Sequence, residues 1–254
     1  ARELADSAAQ PRMLGSVIHN RRVTAALEER GMRTLERPEE ARQGDSVLLR
    51  AHGVGREVYR LLEERGAAVA DATCPKVAHV QRLVEKAEEE GRQPVMIGDP
   101  THPEVRGAAG WCRRLLVFSG PEEAARWFET AGAAGSAALT VVSQTTLRRE
   151  VWESSLKIIK KECTNLKIFD TICDATHTRQ SEAAQLASQV DAMVVVGDPR
   201  SANTTHLTEI CRGYCGRVFQ IENADELPLA ALAGCGRVGL TAGASTPASI
   251  IKEV

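Results

Sequence analysis

The chain of 254 residues sets 32 Lys and Arg against 34 Asp and Glu, a net charge of −2, with 43% hydrophobic and 26% charged residues. That balance describes a globular protein with room for a large core or several small ones, and it argues against a general nucleic-acid binder. No apolar run approaches the roughly 18 residues a membrane span needs, and seven cysteines, an odd number, suit reduced thiols or metal ligation better than a disulfide framework.

Taken in order, Ala1-Arg2-Glu3-Leu4-Ala5 reads as the interior of an amphipathic helix; cytosol is the expected compartment, and a removed targeting segment is compatible with such a start. Strand-like runs rich in Val, Ile and Leu follow at Met13–Ile18, Ser46–Arg50, Ala67–Ala70, Pro94–Gly98, Leu115–Ser119, Ala138–Ser143, Leu166–Phe169, Ala192–Gly197, Arg217–Ile221 and Arg237–Thr241. Helical spacing marks Val54–Glu64 and Lys76–Glu90, with Gly66 and Gly91 where helices should stop, and a helix at Ile250–Val254. Pro75 suits a first helical position, which makes Cys74 its N-cap. The alternation predicts parallel α/β structure.

An internal repeat organises these elements. Asp71-Ala72-Thr73-Cys74 and Asp170-Thr171-Ile172-Cys173 each close a strand-like run, and each cysteine lies 24 positions before a Gly-Asp-Pro, at Gly98 and Gly197. Gly15 with His19 repeats Gly98 with His102 and Gly197 with Ser201, while Pro38-Glu39-Glu40-Ala41 recurs as Pro121-Glu122-Glu123-Ala124. Three α/β units are expected, 1–74, 75–173 and 174–254, and the same spacing puts a counterpart cysteine about nine residues before Ala1.

Ligands in open parallel sheets bind beyond the carboxyl ends of strands. Two loops per unit qualify: His19-Asn20, His102-Pro103-Glu104 and Ser201-Ala202-Asn203; then Ala51-His52-Gly53, Gln144-Thr145-Thr146 and Ala242-Gly243-Ala244-Ser245-Thr246. Their His, Ser, Thr and Asn side chains and backbone N–H groups at helix starts suit an anion such as a phosphate. Hydrogen bonds to a charged group contribute about 1.5–3 kcal/mol each, so a handful approach the roughly 8 kcal/mol of micromolar binding without a Lys or Arg clamp.

Two repeat-related thiols plus an inferred third suit an iron–sulfur cluster with one iron left open. Zinc with an open position and buried structural thiols are the competing readings. Glu104, the only carboxylate in the six loops, is a candidate proton donor or a favourable first-turn charge. Asp71 and Asp170 are expected to shape the cysteine turns. The remaining five cysteines read as small apolar residues, with Cys211 and Cys215 on one helix face and Cys112, Cys163 and Cys235 in helices or strands. His79, His177 and His206 read as solvated helix residues, and Glu88-Glu89-Glu90 as an exposed helix end. A metal-independent phosphate-binding protein and a zinc-dependent hydrolase both remain open on these grounds.

Eight segments in order, Val17-Ile18-His19-Asn20, Arg50-Ala51-His52-Gly53-Val54, Asp71-Ala72-Thr73-Cys74-Pro75, His102-Pro103-Glu104-Val105, Gln144-Thr145-Thr146, Thr171-Ile172-Cys173, Ser201-Ala202-Asn203 and Thr241-Ala242-Gly243-Ala244-Ser245, resemble the LytB family of 4-hydroxy-3-methylbut-2-enyl diphosphate reductases. The resemblance implies three pseudo-symmetric parallel α/β domains in a trefoil around a central iron–sulfur cluster of the 4Fe-4S or 3Fe-4S type. Cys74 and Cys173 match two cluster ligands. His19, His52, His102, Ser201, Asn203 and Ser245 match the diphosphate site, and Glu104 matches the proton source, with Thr145 and His102 beside it. The implied reaction removes an allylic hydroxyl as water with two electrons and two protons, giving isopentenyl and dimethylallyl diphosphates in the non-mevalonate pathway, and the implied electron donor is a ferredoxin or flavodoxin. The family's first cluster cysteine belongs to a Gly-Phe-Cys segment expected upstream of Ala1, so the activity and an intact cluster are expected of the protein that carries that segment.

Overall fold

A parallel strand covered on both faces reads as a continuous apolar run whose alternate residues enter different cores. The computed structural model describes residues 1–7, 11–18, 20–131 and 138–254, and among these every strand pairing is parallel. The first sheet runs β2-β1-β3-β4, from β1 (Pro11–Leu14), β2 (Arg33–Leu35), β3 (Ser46–Leu49) and β4 (Ala68–Asp71). The second runs β6-β5-β7-β8, from β5 (Gln93–Ile97), β6 (Leu116–Phe118), β7 (Leu139–Ser143) and β8 (Leu166–Ile168). The third runs β10-β9-β11, from β9 (Ala192–Val196), β10 (Val218–Ile221) and β11 (Val238–Ala242). The helices are α1 (Arg2–Ser7), α2 (Arg21–Glu29), α3 (Arg56–Glu64), α4 (Pro75–Glu89), α5 (Pro103–Ala109), α6 (Pro121–Ala131), α7 (Arg149–Glu162), α8 (Asp174–Ala187), α9 (Ala202–Arg212), α10 (Leu229–Leu232) and α11 (Ala248–Glu253). The chain forms two compact units, Ala1–Val17 with Ala26–Ile172, and Ile18–Ala25 with Cys173–Val254.

Strand order recurs because the same local signals recur. Gly15, Gly98 and Gly197 each leave the first strand of a sheet by donating their N–H to the end of the neighbouring strand, at Leu35 O (2.8 Å), Phe118 O (2.9 Å) and Ile221 O (2.8 Å). The repeated Pro-Glu-Glu-Ala segment has a mechanical reason as well. The Glu40 and Glu123 carboxylates accept the backbone N–H of Glu36 (3.1 Å) and Ser119 (2.8 Å), closing the turn after the edge strand, and Glu226 does the same for Glu222 (2.9 Å).

Period-two packing divides the strand residues between cores. In the second sheet Val95, Ile97 and Val141 pack with Trp152 and Ile159 of α7, while Met96 and Val142 pack with Val80 and Val84 of α4 and Val105 and Ala108 of α5. In the third, Met193 and Val195 meet Ala183 and Leu207, and Val194 and Val196 meet Ile221 and Ile250. Each fully buried side chain of this size contributes roughly 1.5–3 kcal/mol.

Several sequence expectations need correction. Strand β2 was not expected: it is three residues long, lies at the sheet edge, starts with Arg33 and is followed by Glu36 and Arg37, which mask its apolar signal. The helix expected from Val54 starts at Arg56, because the turn at Ala51–His52 closes on Gly53 at φ +72° and the chain stays extended to the N-cap Gly55. Cys215 lies beyond the end of α9, and Cys112, Cys163 and Cys235 occupy turns or a helix cap, not helix or strand interiors. The acidic run is the exposed end of α4 as expected, and within it Glu88 accepts the Arg113 N–H (2.8 Å) and Glu90 pairs with Lys167 (2.7 Å).

Candidate active site

The site residues of the first unit are delivered by three strand ends. Beyond β3 the chain turns through Ala51 and His52; beyond β5 it reaches His102, the N-cap of α5; beyond β7 it reaches Gln144 and Thr145. The His52 and His102 rings meet edge to face, centroids 5.5 Å apart and planes at 81°. His102 Nδ1 accepts the Glu104 N–H at 3.2 Å, which takes that lone pair and leaves the ring proton on Nε2 as a donor.

Glu104 is 1% exposed. Its two oxygens are held separately: Thr145 N–H donates to Oε1 at 2.7 Å and Thr145 Oγ1 donates to Oε2 at 2.7 Å. Burial pushes the carboxyl up to about 7, against the two Thr145 hydrogen bonds that favour the charged form. Gln144 locks this arrangement, since its Oε1 accepts the Asp99 N–H (3.0 Å) and its Nε2 donates to Thr146 Oγ1 (3.0 Å). A carboxylic acid that is half protonated near neutrality and already bonded to a hydroxyl is equipped to move a proton through that hydroxyl.

In the second unit, Ser201 is the N-cap of α9 and its Oγ accepts the Thr204 N–H (3.5 Å). Ser245 Oγ lies 3.4 Å from Ser201 Oγ, so the loop after β11 meets the start of α9. Asn203, the second residue of that helix, is 3% exposed, yet neither its Oδ1 nor its Nδ2 has a hydrogen-bond partner among the described residues. Buried polar atoms are nearly always satisfied, so this amide marks a place for a polar ligand. Neither the open Asn203 amide nor the neighbouring unsatisfied Thr204 hydroxyl is visible in the sequence. Asn20 caps α2 through its Oδ1 (Val23 N, 3.1 Å) and reaches Ser245 O through Nδ2 (3.5 Å). His19 lies outside the described residues.

The two repeat cysteines have the same local setting, each within its own unit. Asp71 Oδ1 accepts the Thr73 N–H (2.8 Å) and Asp170 Oδ1 accepts the Ile172 N–H (3.3 Å), a side-chain turn that brings the chain to a cysteine N-cap. Cys74 caps α4 and Cys173 caps α8 with extended backbone, neither sulfur makes a capping hydrogen bond, and both are half-buried free thiols. Cys74 N–H also donates to Ala51 O (2.9 Å), which ties it to the His52 turn. A soft thiol with no structural duty at the cap is, in each unit, a donor of the kind that fits an iron–sulfur group. Among the described residues no three His, Cys, Asp or Glu side chains converge as a ready-made metal site, and no helix is long and apolar enough to cross a membrane.

Known proteins resemble the chain in sequence and in fold. The family model described as LytB protein matches residues 1–254. The 4-hydroxy-3-methylbut-2-enyl diphosphate reductase of Caldanaerobacter subterraneus subsp. tengcongensis is 41% identical over 246 residues, covering 95% of this chain and 83% of that protein. Its namesake from Thermoanaerobacter sp. (strain X514) is 39% identical over 244 residues, with 95% and 83% covered. A solved structure of (E)-4-hydroxy-3-methyl-but-2-enyl diphosphate reductase, described as the terminal enzyme of the non-mevalonate pathway, matches with a TM-score of 0.71 at 33% identity over 99% of this chain and 89% of that one. The Plasmodium falciparum E-1-hydroxy-2-methyl-but-2-enyl-4-diphosphate reductase shares the fold, with a TM-score of 0.91 at 22% identity over 99% of this chain and 79% of that one. With a family match along its whole length and relatives near 40% identity, the chain belongs to the LytB family.

Proposed function

We propose that the protein is an iron–sulfur reductase that converts 4-hydroxy-3-methylbut-2-enyl diphosphate to isopentenyl and dimethylallyl diphosphates. The observation that carries this reading is the buried Glu104–Thr145 pair beside His102. In the reaction the allylic C–O bond breaks, one proton turns the departing hydroxyl into water, a second proton adds to the allyl unit, and two electrons are consumed. A bound iron–sulfur cluster supplies the electrons. Cys74 and Cys173 would hold it. We assign the electrons' source to a ferredoxin or flavodoxin and the reaction to the cytosol.

The protein's own residues handle the anion and the proton. Neutral His102 offers Nε2–H, and with His52 and His19 it grips diphosphate oxygens; Ser201, Asn203 and Ser245 offer hydroxyl and amide donors. Thr145 Oγ1 donates to Oε2 when Glu104 is a carboxylate. When Oε2 is protonated the bond reverses, Oε2–H donating to Thr145 Oγ1, so that the hydroxyl turns its own proton to the departing hydroxyl and takes the Glu104 proton in its place, while Thr145 N–H keeps Oε1 in register. Burial of the pair excludes water that would otherwise compete for the proton.

Asn203 provides one test. An Asn203→Leu variant should weaken substrate binding by roughly ten- to a hundredfold, the loss of one or more hydrogen bonds to a charged group. Its thermal midpoint should stay level or rise, because an unsatisfied buried amide is replaced by an apolar side chain. Unchanged affinity would remove Asn203 from the diphosphate site. The cofactor assignment is tested by anaerobic purification of the full-length protein followed by absorption and paramagnetic resonance spectra. A brown protein with an iron–sulfur signature is expected; an active protein that is colourless and zinc-containing or metal-free would sink it.

A further inference from the structure

The first unit contains a close backbone contact that the mechanism above does not use. Residues 53–55, the irregular segment that follows the His52 turn, lie directly on α5, the helix that His102 caps. A Cβ on Gly110 would stand 2.5 Å from Gly55 Cα, one on Gly107 would stand 3.0 Å from Gly53 O, and Arg56 N–H donates to Gly110 O at 3.3 Å. Gly110 has φ −78° and Gly55 φ −71°, values open to any residue, so their need for glycine is one of approach and not of backbone conformation. Gly107 sits inside a helix, where glycine costs about 1 kcal/mol relative to alanine, and nothing in the helix itself offsets that.

The contact is fastened on both sides. Val54 O accepts two side-chain donors, Trp111 Nε1 at 2.9 Å from just beyond α5 and Gln81 Nε2 at 3.4 Å from α4, two turns below Cys74. Arg50 Nε donates to Gly53 O at 3.4 Å, and Arg56 lies 5.1 Å over the Trp111 ring while pairing with Glu85. These contacts tie the segment after His52 to α5 and α4. The His52 and His102 rings, one at each side of this contact, stand 5.5 Å apart.

We propose that the glycine seam of Gly53 and Gly55 against Gly107 and Gly110, fastened by Trp111 and Gln81 at Val54 O, is a positioning device that spaces His52 from His102 for a diphosphate. The inference rests on the anion-binding role proposed for those histidines. Gly107, Gly110, Gln81 and Trp111 touch no ligand; they act through His52.

The test is a cycle of variants read by calorimetric titration with inorganic diphosphate. Gly110→Ala should weaken binding by roughly ten- to a hundredfold, the scale of an ångström-sized misplacement. In a His52→Ala background the same substitution should change affinity by no more than about twofold, since residues acting through one group are not additive. Trp111→Phe, which keeps the ring and removes only the N–H, should weaken binding in the same His52-dependent way, and it serves if Gly110→Ala fails to fold. Weakening by the same factor with and without His52, or no weakening in either variant, overturns the seam's role. If His52→Ala itself leaves diphosphate affinity unchanged, the anion site is lost and the inference with it.

Discussion

Replacing Glu104 by glutamine is expected to lower turnover by roughly a hundred- to ten-thousandfold, the usual contribution of a positioned proton donor, while substrate affinity and the cluster spectrum stay close to those of the parent. Glutamine fits the same cavity: its Oε1 can accept the Thr145 N–H and its Nε2 can donate to Thr145 Oγ1, so the geometry survives and only the transferable proton is lost. The pH behaviour follows from burial. The carboxyl ordinarily titrates near 4.5 and is raised to about 7 in the folded protein, so the acid form is present at neutrality and turnover should fall as pH rises through about 7. Because the folded state binds this proton more tightly than the unfolded chain does, Glu104 contributes stability below about 4.5 that is lost as pH rises through 7. Above that, the buried charge costs roughly 3 kcal/mol by linkage. The Glu104→Gln variant should therefore unfold at a higher temperature than the parent at pH 8 and not at pH 4. Near-normal turnover in the variant would take Glu104 out of its role.

Loss of either repeat cysteine should have a still larger effect. Serine is a better N-cap than cysteine, so Cys74→Ser and Cys173→Ser should leave α4 and α8 intact and the protein folded. Both should lose the visible absorption of the cluster and all measurable turnover, because a hydroxyl does not replace a thiolate as an iron–sulfur ligand. Cys211 provides the contrast. It is fully buried in a hydrophobic core, and desolvation, with Cys215 nearby, pushes its thiol up to about 11, so it is a packing group. A Cys211→Ala variant should keep the cluster. A Cys74→Ser or Cys173→Ser protein with normal colour and rate would remove the thiol from the ligand set.

The parts of this architecture that could be read from sequence are those carried by local, repeated signals. Buried parallel strands announce themselves as Val- and Ile-rich runs, and the recurring Gly-Asp-Pro and Cys positions give the repeat, because a glycine turn and an Asx turn need particular residues at particular offsets. Asp71 and Asp170 shape the cysteine turns as their spacing suggests. What the sequence hid is tertiary. Strand β2 has too few apolar residues to signal itself, and its place is set by pairing with β1. The Thr145–Glu104 bonds join positions 41 residues apart, and Trp111 reaches Val54 across 57. Asn203 and Thr204 look like any polar pair at the start of a helix until burial shows their atoms without partners. Short turns likewise disguised Cys112, Cys163 and Cys235, since periodicity does not distinguish a helix end from its interior.

The most direct measurement is a count of electrons against product. Full-length protein, reconstituted anaerobically with iron and sulfide, is given a known quantity of dithionite and an excess of the allylic diphosphate, and the isoprenoid products are quantified. One molecule of isopentenyl or dimethylallyl diphosphate is expected for every two electrons consumed. Tight binding of the diphosphate with no electrons drawn, or release of phosphate in place of loss of the hydroxyl, would contradict it.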